Sequence, residues 1–286
     1  MNRQLVLHCG PMKTGSTAIQ DSLNLSKKKL LELGIGYYHL RAKTLLLDLE
    51  RVISRESHGD KKVILASSEF FGQVSPKLLN SVLQSFKGDC HAILISRPLR
   101  ELYPSLYLQN LKGSSRRITS FQYFLQRQIR SDLAPEKGLG GQLMNAPALD
   151  ARLSAAGCTT HWIVFSRRDL ISLFRECLEE ITDVPLGFLL ENQLPRARGL
   201  SPRRSLRMDL AGLARVINYL NRINLLHDRR REELLIALLD VSDWMNQFLG
   251  VRPSLSLRQL NACNAVDRLI NEPFLNGLGI GMVKEQ

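Results

Sequence analysis

The sequence predicts an α/β protein: a central, mainly parallel sheet covered by helices on both faces, followed by a helical C-terminal region. Three observations point there. Short apolar runs of strand length recur near 3–9, 35–39, 63–69, 91–97 and 160–166. Segments of helical period separate them at 17–33, 41–55, 75–87, 99–111, 119–131 and 147–156. Beyond residue 200 the period is helical throughout. Strands that alternate with helices need crossover connections, and crossovers make strands parallel and put helices on both faces. A chain of 286 residues suits one domain. On the sequence it divides into an α/β core over 1–170 and a mostly helical elaboration over 171–286.

The first strand carries the strongest chemical signal. Leu5, Val6 and Leu7 are too few for an amphipathic strand and read as a strand buried on both faces. They empty into His8-Cys9-Gly10-Pro11-Met12-Lys13-Thr14-Gly15-Ser16-Thr17. Gly10 and Gly15 can take backbone angles closed to other residues, so successive N–H groups can turn toward one ligand. Ser16 or Thr17 lies near a helix N-terminus, where unpaired N–H groups favour an anion. Lys13 adds a full positive charge. The segment is an anion cradle, but not the Walker A pattern G-x-x-x-x-G-K-[ST]. Its lysine precedes the second glycine, which sets the ammonium early in the loop.

That order resembles the 5′-phosphosulfate loop of sulfotransferases that use PAPS (3′-phosphoadenosine 5′-phosphosulfate). The likeness is nearest to the G-P-x-K-T-G-[ST]-[ST] form of the carbohydrate and bacterial enzymes. The resemblance implies a P-loop NTPase-like three-layer sandwich, with Lys13 beside the leaving group and Thr14, Gly15, Ser16 and Thr17 on the 5′-phosphate. A second segment fits it. His91 to Arg97 reads as a buried strand that Pro98 stops, and Ser105 follows Arg97 by eight positions in a helix-like stretch. The family holds the 3′-phosphate with an arginine and a serine at this spacing, so Arg97 and Ser105 are the corresponding pair. On residues alone the favoured reading is a sheet-edge cap and a serine without a role, and the matching loop upstream reverses it. Pro104 removes a helical hydrogen bond, so this helix is expected to start late or kink.

Glu69, at the C-terminal end of the strand Val63 to Glu69, lies where open α/β sheets place ligands. Sulfuryl transfer needs a base for the acceptor hydroxyl, an effect worth ~10²–10⁴-fold, and Glu69 is the candidate. A structural pairing with Lys13 or an arginine, or a magnesium-holding role in a kinase, are the other readings of this carboxylate. The resemblance thus implies sulfuryl transfer from PAPS to a hydroxyl of a carbohydrate, lipid or small molecule, without a metal. The alternatives are a P-loop kinase using ATP and magnesium, and a non-catalytic relative that binds anions or membranes. The tryptophan-containing glycine motif of the arylsulfotransferases has no counterpart, since Trp162 and Trp244 have other surroundings.

Residues 132–146, with Pro135, Gly138, Gly140 and Gly141, read as a long loop of the kind that gates an acceptor. Two apolar stripes, Leu206-Leu210-Leu213-Ile217-Leu220 and Leu234-Leu238-Val241-Met245-Phe248, read as core. The five cysteines are scattered without C-x-x-C spacing, against a disulfide framework or a zinc site. Cys9 reads as a packing residue or, near a helix end, a reactive thiol. His8 and His39 fall near strand ends, within reach of an acceptor.

A net charge of +12 exceeds what one nucleotide explains, so the acceptor is expected to be acidic or membrane-associated. Residues 191–231 hold ten arginines against three carboxylates. Among them Arg196, Arg198, Arg203, Arg204 and Arg207 read either as a clamp on the nucleotide or as a solvated face. Arg229 to Arg231, at a helix start, hint at an anion such as a phospholipid headgroup. No zinc-finger, RRM-like or helix-turn-helix pattern accompanies the charge, so nucleic acid is not the expected partner. Without a secretory signal or an 18-residue apolar span, the expected setting is cytoplasmic, or peripheral on the inner membrane face.

Overall fold

Leu5, Val6 and Leu7 are wholly buried, because their strand is the middle one of the sheet. The computed structural model describes residues 3–10, 14–56, 59–112, 119–135, 144–166, 169–189, 208–249 and 255–280. Its strands are β1 (Gln4–His8), β2 (Ile35–His39), β3 (Val63–Ser67), β4 (Asp89–Ser96) and β5 (Thr159–Val164). They form one sheet in the order β2-β3-β1-β4-β5, and every pairing is parallel. The α/β class read from the sequence is the one observed. Three-layer packing follows from strand alternation. Leu5, Leu7, Ile64, Ala66, Ala92 and Leu94 join one core cluster with α3 (Leu45–Glu56), α4 (Pro76–Leu83) and α7 (Ala146–Ala155). Val6, Val63, Leu65, Ile93 and Ile95 join the other with α1 (Ser16–Leu25), α2 (Lys27–Glu32) and α8 (Leu170–Thr182).

The helix expected over 17–33 is two, since the chain turns at Ser26, whose N–H bonds Ser22 O. The helix expected to start late or kink around Pro104 begins at Leu99 and runs to Lys112 as α5, with the proline inside it. The side chain of Asp267 accepts from Leu99 N at 2.7 Å, capping the first turn. Of the loop read over 132–146, α6 (Phe121–Leu133) takes the beginning and α7 takes the end. Residues 136–143 lie outside the described residues, as do Arg196, Arg198, Arg203, Arg204 and Arg207. Among the described residues no helix is long and apolar enough to cross a membrane.

The described residues fall into two compact units. The first lies within 1–97, 142–194 and 268–286 and contains the sheet and α12 (Glu272–Gly277). The second lies within 98–141 and 195–267 and is helical: α5, α6, α9 (Ala211–Arg222), α10 (Asp228–Leu249) and α11 (Leu257–Val266). In this second unit Tyr103 and Tyr107 are fully buried. The Tyr107 ring meets Phe121 and Phe124 at centroid distances of 5.2 and 5.5 Å. The Tyr103 hydroxyl donates to Asp132 Oδ2 at 2.6 Å.

The two stripes read as core hold only in part: Leu238 is buried, other residues take most of the fully buried positions, and Leu206 and the Phe248 side chain lie outside the described residues. In α9 the buried positions are Ala211, Ala214, Asn218 and Asn221, while Leu213 is 56% exposed. Small residues let this helix approach closely, and the buried amides serve backbone: Asn218 Nδ2 donates to Leu111 O at 3.0 Å and Asn221 Nδ2 to Leu226 O at 2.7 Å. In α10 the inward face is Leu235, Leu238, Leu239 and Ser242, and Val241 is exposed. The arginines at its start have partners in the protein. Arg230 and Arg229 pair with Glu233 at 2.9 and 3.4 Å, and buried Arg231 donates from Nε to Asn218 Oδ1 at 2.8 Å.

Tyr103→Phe removes the donor from a buried carboxylate, a bond to a charged group worth ~1.5–3 kcal/mol. Urea unfolding should show that loss, and unchanged stability would mean Asp132 does not depend on the phenol.

Candidate functional site: the C-terminal edge of the central strands

Because β1 pairs with β3 on one side and β4 on the other, the chain segments leaving these strands emerge side by side. The strand order reverses there, which is where open α/β sheets bind ligands. Glu69 lies two residues beyond β3, half-buried, and Arg97 one residue beyond β4. Alternation places His8, Ser67, Arg97 and Phe165 over the same sheet face, the one covered by α1 and α8.

Gly15 forms the entry to α1. It is left-handed (φ +88°) and occupies the N-cap, so it brings no side-chain oxygen to the first turn. This is how anion-binding helix starts are built. A side chain at this position would run into Leu170 Cδ2 and approach Phe165 Cε2 to 3.3 Å. The start of α1 is therefore seated directly against β5's exit and the first turn of α8. Phe165 carries the Arg97 guanidinium over its ring at 4.4 Å from the centroid, a cation–π contact that aims a long side chain. Gly15, Phe165 and Arg97 thus meet at one edge of the sheet.

Behind this edge is a buried polar cluster. His8 is 1% exposed, and its Nδ1 lies 2.9 Å from Ser67 Oγ. Gln20 Nε2, from α1, donates to the same Ser67 Oγ at 3.1 Å. The His8 ring packs edge-on against Phe174 of α8 at 5.1 Å. Burial first, and His39 second, pull the imidazole pKa down to about 3, so the ring is neutral at physiological pH. Cys9 is 1% exposed, its thiol donates to Leu7 O at 3.4 Å, and burial pushes its pKa well up. It is a packing residue, not a reactive thiol.

Of the residues selected from the sequence, Thr14 and Ser16 are buried and Thr17 is half-buried at the start of α1. Lys13 lies outside the described residues. Ser105 is in α5 of the helical unit, whereas Arg97 belongs to the sheet unit. His39 ends β2, separated from β1 by β3, and is exposed. The sequence reading missed Phe165, Ser67 and Gln20. Phe165 follows an apolar run and offered no signal by itself, because its pairing with Arg97 exists only through the β4–β5 register. Beside Phe70 a cleft of about 430 Å³ opens, lined by Thr44, Leu45, Gln73 and Val74 among others. Among the described residues no group of three or more His, Cys, Asp or Glu side chains is arranged to hold a metal ion.

No family model matches this chain, and no curated protein matches it. Among solved structures, a sulfotransferase domain from the curacin biosynthetic pathway is similar at 13% identity and a TM-score of 0.39, covering 94% of this chain and 96% of that one.

The low pKa of His8 has a consequence for stability. Between about 3 and the ordinary value of 6.5 the unfolded chain binds a proton that the native protein does not. Stability therefore rises with pH across this window and is lost as pH falls through it, by at most ~1.4 kcal/mol per pH unit from this group. Denaturant unfolding of His8→Asn from pH 4 to 7 should show an acid limb shallower by about one proton. An unchanged slope would mean His8 titrates normally in the folded state.

Proposed function

We propose that this protein is a PAPS-dependent sulfotransferase that moves a sulfuryl group to a hydroxyl of a carbohydrate, lipid or small-molecule acceptor and releases adenosine 3′,5′-bisphosphate. The observation that carries the reading is the meeting of Gly15, Phe165 and Arg97 at the edge where β1, β3 and β4 end. A glycine-started helix supplies partial positive charge for one phosphate, and an aimed guanidinium supplies a fork for another. The order of residues in the loop, lysine before the second glycine, favours a phosphosulfate over a nucleoside triphosphate.

In this reading the acceptor oxygen attacks sulfur in line as the bond from sulfur to the 5′-phosphate oxygen breaks. Glu69 takes the acceptor's proton. Lys13 balances the charge that develops on the leaving phosphate, and the backbone of Thr14, Gly15, Ser16 and Thr17 holds that phosphate in position. Arg97 grips the 3′-phosphate; Ser105 joins it through the sequence spacing alone. Catalysis is then positioning and electrostatics, as in phosphoryl transfer through a loose transition state. The cleft beside Phe70, the residue after Glu69, mixes Thr44 and Gln73 with Leu45 and Val74, and we assign it to the acceptor.

Two measurements test this reading. Adenosine 3′,5′-bisphosphate should raise the melting temperature without magnesium, and ATP with magnesium should do so much less; the reverse ranking would make the protein a kinase. With an acceptor identified from labelled PAPS, Glu69→Gln should lower kcat ~10²-fold or more at nearly unchanged bisphosphate affinity. Full activity in that variant would remove Glu69 as the base.

A further inference from the structure

His8 holds a buried polar atom that its surroundings leave unanswered. Nδ1 faces Ser67, but among the described residues Nε2 has no hydrogen-bond partner, and it is shut off from solvent. Buried polar atoms in folded proteins are nearly always satisfied, so an orphan beside a ligand site points to the ligand. The direction of Nε2 is defined. A Cβ built on Gly10 would sit 3.1 Å from Nε2, 2.6 Å from Ser16 Oγ and 3.2 Å from Thr14 Oγ1. Three polar side-chain atoms therefore crowd the point where a side chain at position 10 would begin, beside the start of α1, and glycine there lets them gather.

Ser67 Oγ accepts from Gln20 Nε2 at 3.1 Å and has one hydroxyl hydrogen that it can give to His8 Nδ1, 2.9 Å away; we assign that direction. With Nδ1 accepting, Nε2 carries the imidazole hydrogen. We propose that His8 is a neutral hydrogen-bond donor to a phosphate oxyanion bound at the start of α1, its ring held in the donating tautomer by Gln20 and Ser67. This rests on the proposed function for the identity of the phosphate, the 5′-phosphate of the sulfuryl donor, but not for the chemistry of the contact. A ring kept neutral by burial orients the phosphate without exchanging a proton with it. His8 is accordingly a positioning residue on the donor side, not the acceptor-side group the sequence suggested.

Nuclear magnetic resonance of the full chain with 15N-labelled histidine tests this directly, with His8→Asn assigning the signal. The free protein should show a neutral ring protonated at Nε2. Adding adenosine 3′,5′-bisphosphate, or inorganic pyrophosphate in a separate titration, should move the Nε2-bound hydrogen downfield. Calorimetry should find both probes ~10-fold or more weaker on His8→Asn, as for a lost bond to a charged acceptor. Ser67→Ala should lose the single-tautomer signature and part of the affinity while keeping His8. Bisphosphate that binds without moving the signal overturns the inference and leaves the donor assignment standing. Pyrophosphate that moves it while the bisphosphate fails to bind upholds the inference and removes the donor. If neither anion binds, or if His8→Asn loses stability but no affinity, His8 is a core histidine and the proposal is wrong.

Discussion

The site depends on how close the chain comes to itself at Gly15. A residue with φ of +88° that must also clear Leu170 and Phe165 has to be glycine. This one position lets α1 start against the exit of β5 and turns the first turn of the helix toward the edge of the sheet. Any other residue would be strained at this φ and would force the Leu170 side chain to shift, between two helices that share the core cluster built on Val6, Leu65, Ile93 and Ile163. The same packing therefore both closes one face of the sheet and sets the start of α1 at its C-terminal edge.

Placement of β1 in the centre completes the arrangement. Flanked by β3 and β4, it gathers a carboxylate, a guanidinium and a helix N-terminus from segments far apart in sequence. Each is positioned by a rigid element: Glu69 by the end of β3, Arg97 by Phe165, and His8 by Ser67 and Phe174. Preorganisation of this kind is what transfer of a highly charged group requires, because the groups do not have to reorganise as charge moves. On the proposed function, neutral His8 suits the same requirement by contributing a dipole where another cation would hold the product more tightly.

Much of the fold was legible in the sequence. The strands were readable because both-face burial leaves uninterrupted apolar runs, and Leu5-Val6-Leu7 and Ala92 to Ile95 are such runs. Helical period was readable too, but period fixes only which residues share a face. In α9 the face turned inward is Ala211, Ala214, Asn218 and Asn221, chosen by close approach and by the carbonyl of Leu111, and neither is encoded locally. The glycines at 10 and 15 stood out because their backbone freedom is a local property, and Gly15 takes the left-handed φ of +88° at the start of α1. Phe165 under Arg97 and Ser67 behind His8 were hidden because each pair is made by strand register across scores of residues. Arg229 and Arg230 share Glu233, one helical turn ahead, a pairing that the run of arginines by itself did not announce.

The central claim is that this edge grips two phosphates of one nucleotide, with Arg97 on the 3′-phosphate. Calorimetric titration of the native protein and Arg97→Ala with adenosine 3′,5′-bisphosphate and with adenosine 5′-phosphate measures that directly. Arg97→Ala should weaken the bisphosphate by ~10-fold or more, as for a lost charge-assisted contact, and leave the monophosphate nearly unchanged. Equal losses for both nucleotides, or no loss for either, would contradict it.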